Sequence, residues 1–284
     1  MKVLVTGFKG QLGYDVVNEL NHRGYEAVGV DIEEMDITNA ENVSSVIGEV
    51  RPDAVIHCAA WTAVDAAEDN EEKVRLVNAV GTDNIAKECK RLDCKLMYIS
   101  TDYVFDGQGE KPWNPDCKDF RPLNIYGKTK LEGELAVANT LDKYFIVRIA
   151  WVFGKNGKNF IKTMLNVGKT HDKVRVVNDQ IGTPTYTYDL ARLLVDMIET
   201  EQYGYYHATN EGGYISWYDF TKEIYRQAGY KTNVIPVTTA EYGLSRAARP
   251  FNSRLDKSKL VESGFKPLPS WQDALSRYLK EIEY

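Results

Sequence analysis

Residues 6–13 read Thr6-Gly7-Phe8-Lys9-Gly10-Gln11-Leu12-Gly13. The glycines fall in a G-x-x-G-x-x-G spacing. An apolar run, Val3-Leu4-Val5, precedes them, and Leu12, Val16, Val17 and Leu20 follow at helical spacing. A strand, a glycine turn and a helix are therefore expected in immediate succession. One glycine permits a tight turn with positive φ. Another lets the backbone approach a ligand, and the last lets the helix press onto the strand. The free N–H groups at the helix start then form a site for a phosphate anion.

The pattern continues outward from this turn. Glu26 to Val30 is a second strand, ending at Asp31, and 39–49 is a helix. After the Pro52-Asp53 turn, Ala54 to Ala59 is a third apolar run, followed by a long helix over 71–92. Lys95 to Ser100 is a strand, 126–138 a helix, and Tyr144 to Ala150 a strand. Short β-branched strands alternating with longer helices mean βαβ units and a doubly wound parallel sheet. With the glycine turn in its first unit, residues 1–150 read as a Rossmann domain that binds a dinucleotide. Beyond 150 the pattern loosens and prolines become denser. A weaker strand at 174–177, a helix at 188–199, a strand at 204–208 and helices at 216–228, 256–262 and 270–282 are expected. The reading is a smaller, discontinuous α/β C-terminal substrate domain over 151–174 and 213–284, with about 175–212 returning to the sheet.

Composition removes several function classes. The net charge is -6, without the basic footprint that nucleic-acid binding needs. None of the four cysteines forms a C-x-x-C pair and the four histidines are scattered, so no metal site is expected. The apolar start stops at Thr6-Gly7, which argues against a signal peptide. No run approaches the ~18 apolar residues of a membrane span. A cytoplasmic enzyme is expected.

Asp31 stands about 20 residues past the glycine turn, where a carboxylate accepts hydrogen bonds from ribose hydroxyls. It would repel a 2′-phosphate and so favours NADH. Lys9, inside the glycine loop, pulls toward NADPH as an alternative donor. Asp36 and Ile37 follow on the same side of the chain. Two further segments lie where an open α/β sheet places its chemistry. One is Ser100-Thr101-Asp102, just past the strand at 95–100. The other is Tyr126-Gly127-Lys128-Thr129-Lys130, whose Tyr126 and Lys130 share a helix face at i, i+4. Tyr-x-x-x-basic pairs arise by chance in a chain with 18 Tyr and 35 Lys+Arg, and others occur at Tyr144/Arg148, Tyr188/Arg192, Tyr218/Lys222 and Tyr242/Arg246. Order singles out Tyr126/Lys130, which follows the glycine loop and the Ser-Thr segment and precedes a further strand.

Together these motifs resemble the extended short-chain dehydrogenase/reductase family. Further marks are Ala60-Trp61-Thr62-Ala63-Val64-Asp65, Trp151-Val152-Phe153, Asn178-Asp179-Gln180-Ile181-Gly182-Thr183-Pro184-Thr185 and Arg249-Pro250-Phe251-Asn252-Ser253. The nearer likeness is to the branch that reduces the C4 keto group of dTDP-4-dehydro-L-rhamnose to dTDP-L-rhamnose, for cell-surface polysaccharide. The resemblance implies that Tyr126 is the general acid, that Lys130 lowers its pKa and holds the nicotinamide ribose, and that Thr101 meets the substrate oxygen. Asp102 adjusts the local field. Gly7, Gly10, Gln11, Leu12, Gly13, Asp31, Asp36, Ile37, Ala60, Trp61 and Thr62 border the cofactor, and Asn78 supports its loops. Trp151 lines the sugar pocket and Arg249 meets the nucleotide diphosphate. Related dehydratases carry Asp-Glu after the catalytic Thr, whereas Asp102 here precedes Tyr103. A 4-epimerase and a non-catalytic dinucleotide-binding regulatory subunit are the other readings. Some members dimerise through Mg2+-binding carboxylates. Tyr188 stands where those offer glutamate, so a metal-independent monomer or weak homodimer is expected.

Overall fold

The computed structural model describes residues 1–243, 245–282 and 284. Five strands, β1 (Lys2–Thr6), β2 (Glu26–Val30), β3 (Ala54–His57), β4 (Lys95–Thr101) and β5 (Tyr144–Ile149), join strand Gly204–His207 in one six-stranded sheet. The order is Gly204–His207, β5, β4, β3, β1, β2, and every pairing is parallel. The chain runs outward from β1 to β2, then crosses back to β3 on the other side of β1. That reversal opens a crevice beyond the carboxyl ends of β1 and β3, the place where doubly wound sheets bind ligands.

Strand periodicity sorts the core into two layers. Val3, Val5, Ala54, Ile56, Met97, Phe145 and Val147 face one side. There they pack on Leu12, Val16 and Leu20 of α1 (Gln11–His22) and on helix Thr187–Ile198. Leu4, Val55, Leu96, Tyr98 and Ile146 face the other, beneath Val43 and Ile47 of α2 (Ala40–Val50), Ile85 of helix Gly81–Leu92 and Val137 of helix Ile125–Thr140. Each fully buried Val, Leu, Ile, Phe or Met among them contributes about 1.5–3 kcal/mol of transfer free energy.

The long helix expected over 71–92 is interrupted by a π-helical turn at Leu76–Val80. The strand expected at 174–177 forms as Lys173–Val177 but leaves the main sheet, pairing with Asn233–Val237. The return to the main sheet therefore begins with helix Thr187–Ile198, later than position 175. A separate aromatic core joins Phe153, Phe220, Trp271 and Tyr278, drawn partly from helices Trp217–Ala228 and Trp271–Glu281.

The Tyr144/Arg148 pair has a structural explanation. Arg148 is fully buried and makes two 2.8 Å bonds to the Glu134 carboxylate and one of 3.0 Å to the Pro115 carbonyl. Its guanidinium lies over Phe105, Phe120 and Tyr205. An aromatic sleeve of this kind suits a delocalised, weakly hydrated cation.

Candidate active site

A cleft of about 630 Å³ opens at the crevice between β1 and β3. Gly7, Gly10, Gln11 and Leu12 line it at the start of α1, with Asp31, Asp36 and Ile37 beyond β2 and Ala60 and Thr62 beyond β3. Thr101, Asp102, Tyr126, Lys130 and Trp151 line the same cleft. Gly13, Trp61, Asn78 and Arg249 lie outside its lining.

The glycine loop has the close packing that its spacing anticipates. Gly7 sits at φ 67°, and a Cβ there would stand 2.9 Å from Ala59 Cα. A Cβ on Gly13 would stand 2.2 Å from the Gly7 carbonyl oxygen. Neither position admits another residue without backbone movement. The α1 N-terminus thus meets the cleft with bare backbone, a fit for the pyrophosphate of a dinucleotide. At the end of β2, the Asp31 carboxylate accepts from Ile32 N at 3.0 Å and from Lys9 N at 3.4 Å. The Lys9 ammonium is paired with Glu33 and, at 3.6 Å, with Glu34. Both pairs are exposed and therefore weak, so Lys9 sits among acids without being locked to them. Asp36 accepts from Thr38 N and Thr38 Oγ1 at 2.9 and 2.7 Å, which fixes the turn it occupies.

Asn78 acts from behind the lining. It is buried in the π-helical turn, a distortion frequent at functional sites. Its Oδ1 accepts from Trp61 N at 2.8 Å, and its Nδ2 donates to Trp61 O and Thr129 Oγ1, both at 3.2 Å. The side chain ties the 60–62 loop to the helix that carries Tyr126.

That helix starts at an Asn124 cap, whose Oδ1 accepts from Gly127 N at 2.8 Å. A Cβ on Gly127 would stand 2.2 Å from the Tyr103 carbonyl, so the helix lies hard against the turn after β4. This brings Tyr126 to Thr101. Thr101 Oγ1 donates to Asp102 Oδ1 at 3.2 Å. Burial pushes the Tyr126 phenol above its ordinary value, the neighbouring Thr101 hydroxyl pulls it back, and Asp102 and Tyr103 push it further up. The resemblance implied a Tyr126 pKa lowered by Lys130; the net shift here is upward, and burial is its main cause. At neutral pH the phenol holds its proton.

Lys130 is buried, with Nζ donating to Ile99 O at 2.7 Å and lying 4.0 Å from the centre of the Tyr98 ring. Burial lowers its pKa to about 7, opposed by the Glu134 carboxylate one turn along the helix. Burial raises Asp102 to about 6, with the Ser253 and Thr101 hydroxyls beside it acting in the other direction. Among the described residues, Asp102 Oδ2 has no partner.

Trp151 follows β5 with φ 50°, an unusual conformation for a bulky residue. Its ring stacks on Trp217, with centroids 3.7 Å apart, and a Cβ on Gly182 would stand 2.9 Å from it. The diphosphate role expected for Arg249 meets a competing partner, since its guanidinium donates to Asp65 Oδ2 at 2.7 Å. Tyr103, read from the sequence only as the residue in place of a dehydratase acid, also lines the cleft. So does Lys158, which the sequence reading passed over. Lys158 carries a weak signal in its Gly157-Lys158 setting, close to Gly154 in a short polar loop. Among the described residues, no cluster of three or more His, Cys, Asp or Glu could hold a metal ion, and no helix is long and apolar enough to cross a membrane.

The RmlD substrate binding domain model matches residues 1–284. The chain is 40% identical over 280 residues to the spore coat polysaccharide biosynthesis protein SpsK of Bacillus subtilis, covering 99% of this chain and 97% of that one. It is 39% identical to the dTDP-4-dehydrorhamnose reductase of Aggregatibacter actinomycetemcomitans, covering 96% and 97%. The crystal structure of dTDP-4-dehydrorhamnose reductase from Bacillus anthracis in complex with NADP superposes with a TM-score of 0.95 at 43% identity, over 99% of this chain and 100% of that one. With a family match from end to end and relatives of this identity over nearly their full lengths, the chain belongs to the RmlD family of dTDP-4-dehydrorhamnose reductases.

Proposed function

We propose that the protein reduces the C4 keto group of dTDP-4-dehydro-L-rhamnose to the alcohol of dTDP-L-rhamnose, with NADH as donor and NADPH as the alternative. The carrying observation is that one cleft joins a dinucleotide cradle to Thr101, Tyr126 and Lys130. A nicotinamide bound there supplies the hydride. The chain's own groups do the rest. Tyr126 holds the proton that the new alkoxide takes up, and burial keeps the phenol in its acid form at neutral pH. Thr101 orients that phenol and offers its hydroxyl to the same oxygen. In this reading Lys130 holds the nicotinamide ribose, and Trp151 closes the sugar side.

Asp31, Glu33 and Glu34 gather carboxylates around the adenosine end, which supports NADH. The relative solved with NADP supports use of the phosphorylated donor as well. Tyr103 stands where a dehydratase carries its second acid, which favours reduction over water elimination. The four free thiols fit a cytoplasmic enzyme, which we place there as a monomer or weak homodimer without nucleic-acid partners. The test is NAD(P)H absorbance with dTDP-4-dehydro-L-rhamnose. One dinucleotide oxidised per dTDP-L-rhamnose formed is the expected result. Conversion of a dTDP-sugar without net oxidation would overturn the reading in favour of an epimerase or dehydratase.

A further inference from the structure

A dinucleotide pyrophosphate carries two negative charges, and the cleft offers few cations to meet them. Among the described residues that line it, the cations are Lys130 and Lys158, beside the acids Asp31, Asp36 and Asp102. Lys130 is buried against the Ile99 carbonyl and belongs with Tyr126. Lys9, in the glycine loop itself, does not line the cleft and faces Glu33 and Glu34 on the outer side. Lys158 is left.

It stands on the loop 154–159, which lies against the glycine turn. Gln11, the first residue of α1, accepts from Gly154 N at 3.0 Å and from Asn159 Nδ2 at 3.1 Å through one oxygen. A Cβ on Gly157 would reach 3.4 Å from Gln11 Cγ. The other lysines of this region are engaged. Lys155 faces Glu281 at 3.8 Å, and Lys162 donates to the Lys155 and Gly157 carbonyls at 2.5 and 2.9 Å. Lys162 thereby fixes the loop that presents Lys158. Lys158 has no ion pair or side-chain hydrogen bond among the described residues and lines the cleft beside Gly10 and Gln11.

We propose that Lys158 is a phosphate contact for the dinucleotide. Its ammonium pairs with the cofactor pyrophosphate seated on the α1 N-terminus, so that the 154–159 loop and the glycine loop grip the same group from two sides. The proposal rests on the dinucleotide reading of the cleft but not on the reaction assigned to it. A lysine acts on phosphate as a point charge, so the effect should not depend on the base or on a 2′-phosphate.

The experiment measures Kd for NADH, NADPH, ADP-ribose and dTDP with the full chain and its Lys158→Gln and Lys158→Arg variants. Lys158→Gln should weaken NADH, NADPH and ADP-ribose together by about tenfold, the scale of a lost charge-assisted hydrogen bond. It should also flatten the salt dependence of NADH binding and leave dTDP binding unchanged. Lys158→Arg should restore most of the loss. Unchanged NADH affinity in Lys158→Gln would overturn the proposal. A loss confined to NADPH would also overturn it, moving the contact to the 2′-phosphate. A loss confined to dTDP would move it to the substrate diphosphate. Because the readout is binding, it stands apart from turnover: a chain that fails to reduce the keto sugar but shows this pattern would sink only the assigned reaction.

Discussion

Lys130 gives the protein a pH dependence that can be worked through from its surroundings. Its ammonium is removed from water, with Glu134 the main opposing influence, and its pKa falls to about 7. At about pH 6 some nine-tenths of the side chain is charged, and at about pH 8 some one-tenth. Hydrogen bonds from a charged donor to the ribose hydroxyls of a bound dinucleotide are worth about 1.5–3 kcal/mol. The charged form therefore binds the cofactor about tenfold or more tightly than the neutral form. NADH affinity should be highest below the Lys130 pKa and fall by about tenfold between about pH 6 and 8.5. By linkage, binding raises the Lys130 pKa and takes up protons near neutrality. Fluorescence titration with NADH across that range gives the profile, and calorimetry in buffers of different ionisation enthalpy counts the protons. Lys130→Met should bind weakly with a flat profile. A flat profile in the unsubstituted protein, or the same slope in Lys130→Met, would refute the assignment. Folding stability has the opposite trend. The unfolded chain holds the Lys130 proton up to the ordinary lysine value of 10.5, whereas the fold releases it at about 7. This group's contribution to stability therefore rises as pH increases through that window.

Three other outcomes follow from the geometry. Tyr126→Phe should keep NADH affinity within about twofold and lose about 10²–10⁴ in kcat with the keto sugar, since only the proton is removed; near-normal turnover would end the general-acid assignment. Glu134→Gln leaves the fully buried Arg148 without its counter-charge and should cost about 3–5 kcal/mol, read as a lowered midpoint in denaturant. Asp31→Asn removes a carboxylate from the adenosine end and should shift kcat/KM toward NADPH by about tenfold, with an unchanged ratio counting against Asp31 as the discriminator.

Much of the sheet was legible because its physics is local. A strand buried on both faces must be apolar throughout, and Val3-Leu4-Val5 and Ala54-Val55-Ile56 are. The glycine turn was legible because Gly7 and Gly13 lie where a Cβ would strike backbone. Tyr126 and Lys130 were legible from their spacing and order. The C-terminal part was harder. Strand Asn233–Val237 contains Pro236, and helix Phe160–Thr170 starts in the polar loop that holds Lys158, so neither announces itself. Long-range partners are invisible in one dimension. Nothing near Arg249 forecasts Asp65, 184 residues away, as its ion-pair partner. Nor does the glycine loop reveal that Glu33 and Glu34 face Lys9. The direction of the Tyr126 shift was missed for the same reason, since burial is a property of the assembled fold.

The backbone at Trp151 carries a further consequence for how this fold can change. A non-glycine residue held at φ 50° costs about 1–3 kcal/mol, and a bulky ring is among the least suited to that conformation. Glycine there would relax the main chain, but it would remove the ring that Trp217 and Gly182 grip and that closes one side of the cleft. Deleting a packed tryptophan costs about 3–5 kcal/mol, more than that strain would return. The ring therefore holds the fold together as well as shaping the cleft, and the awkward backbone is retained because the packing it permits outweighs it.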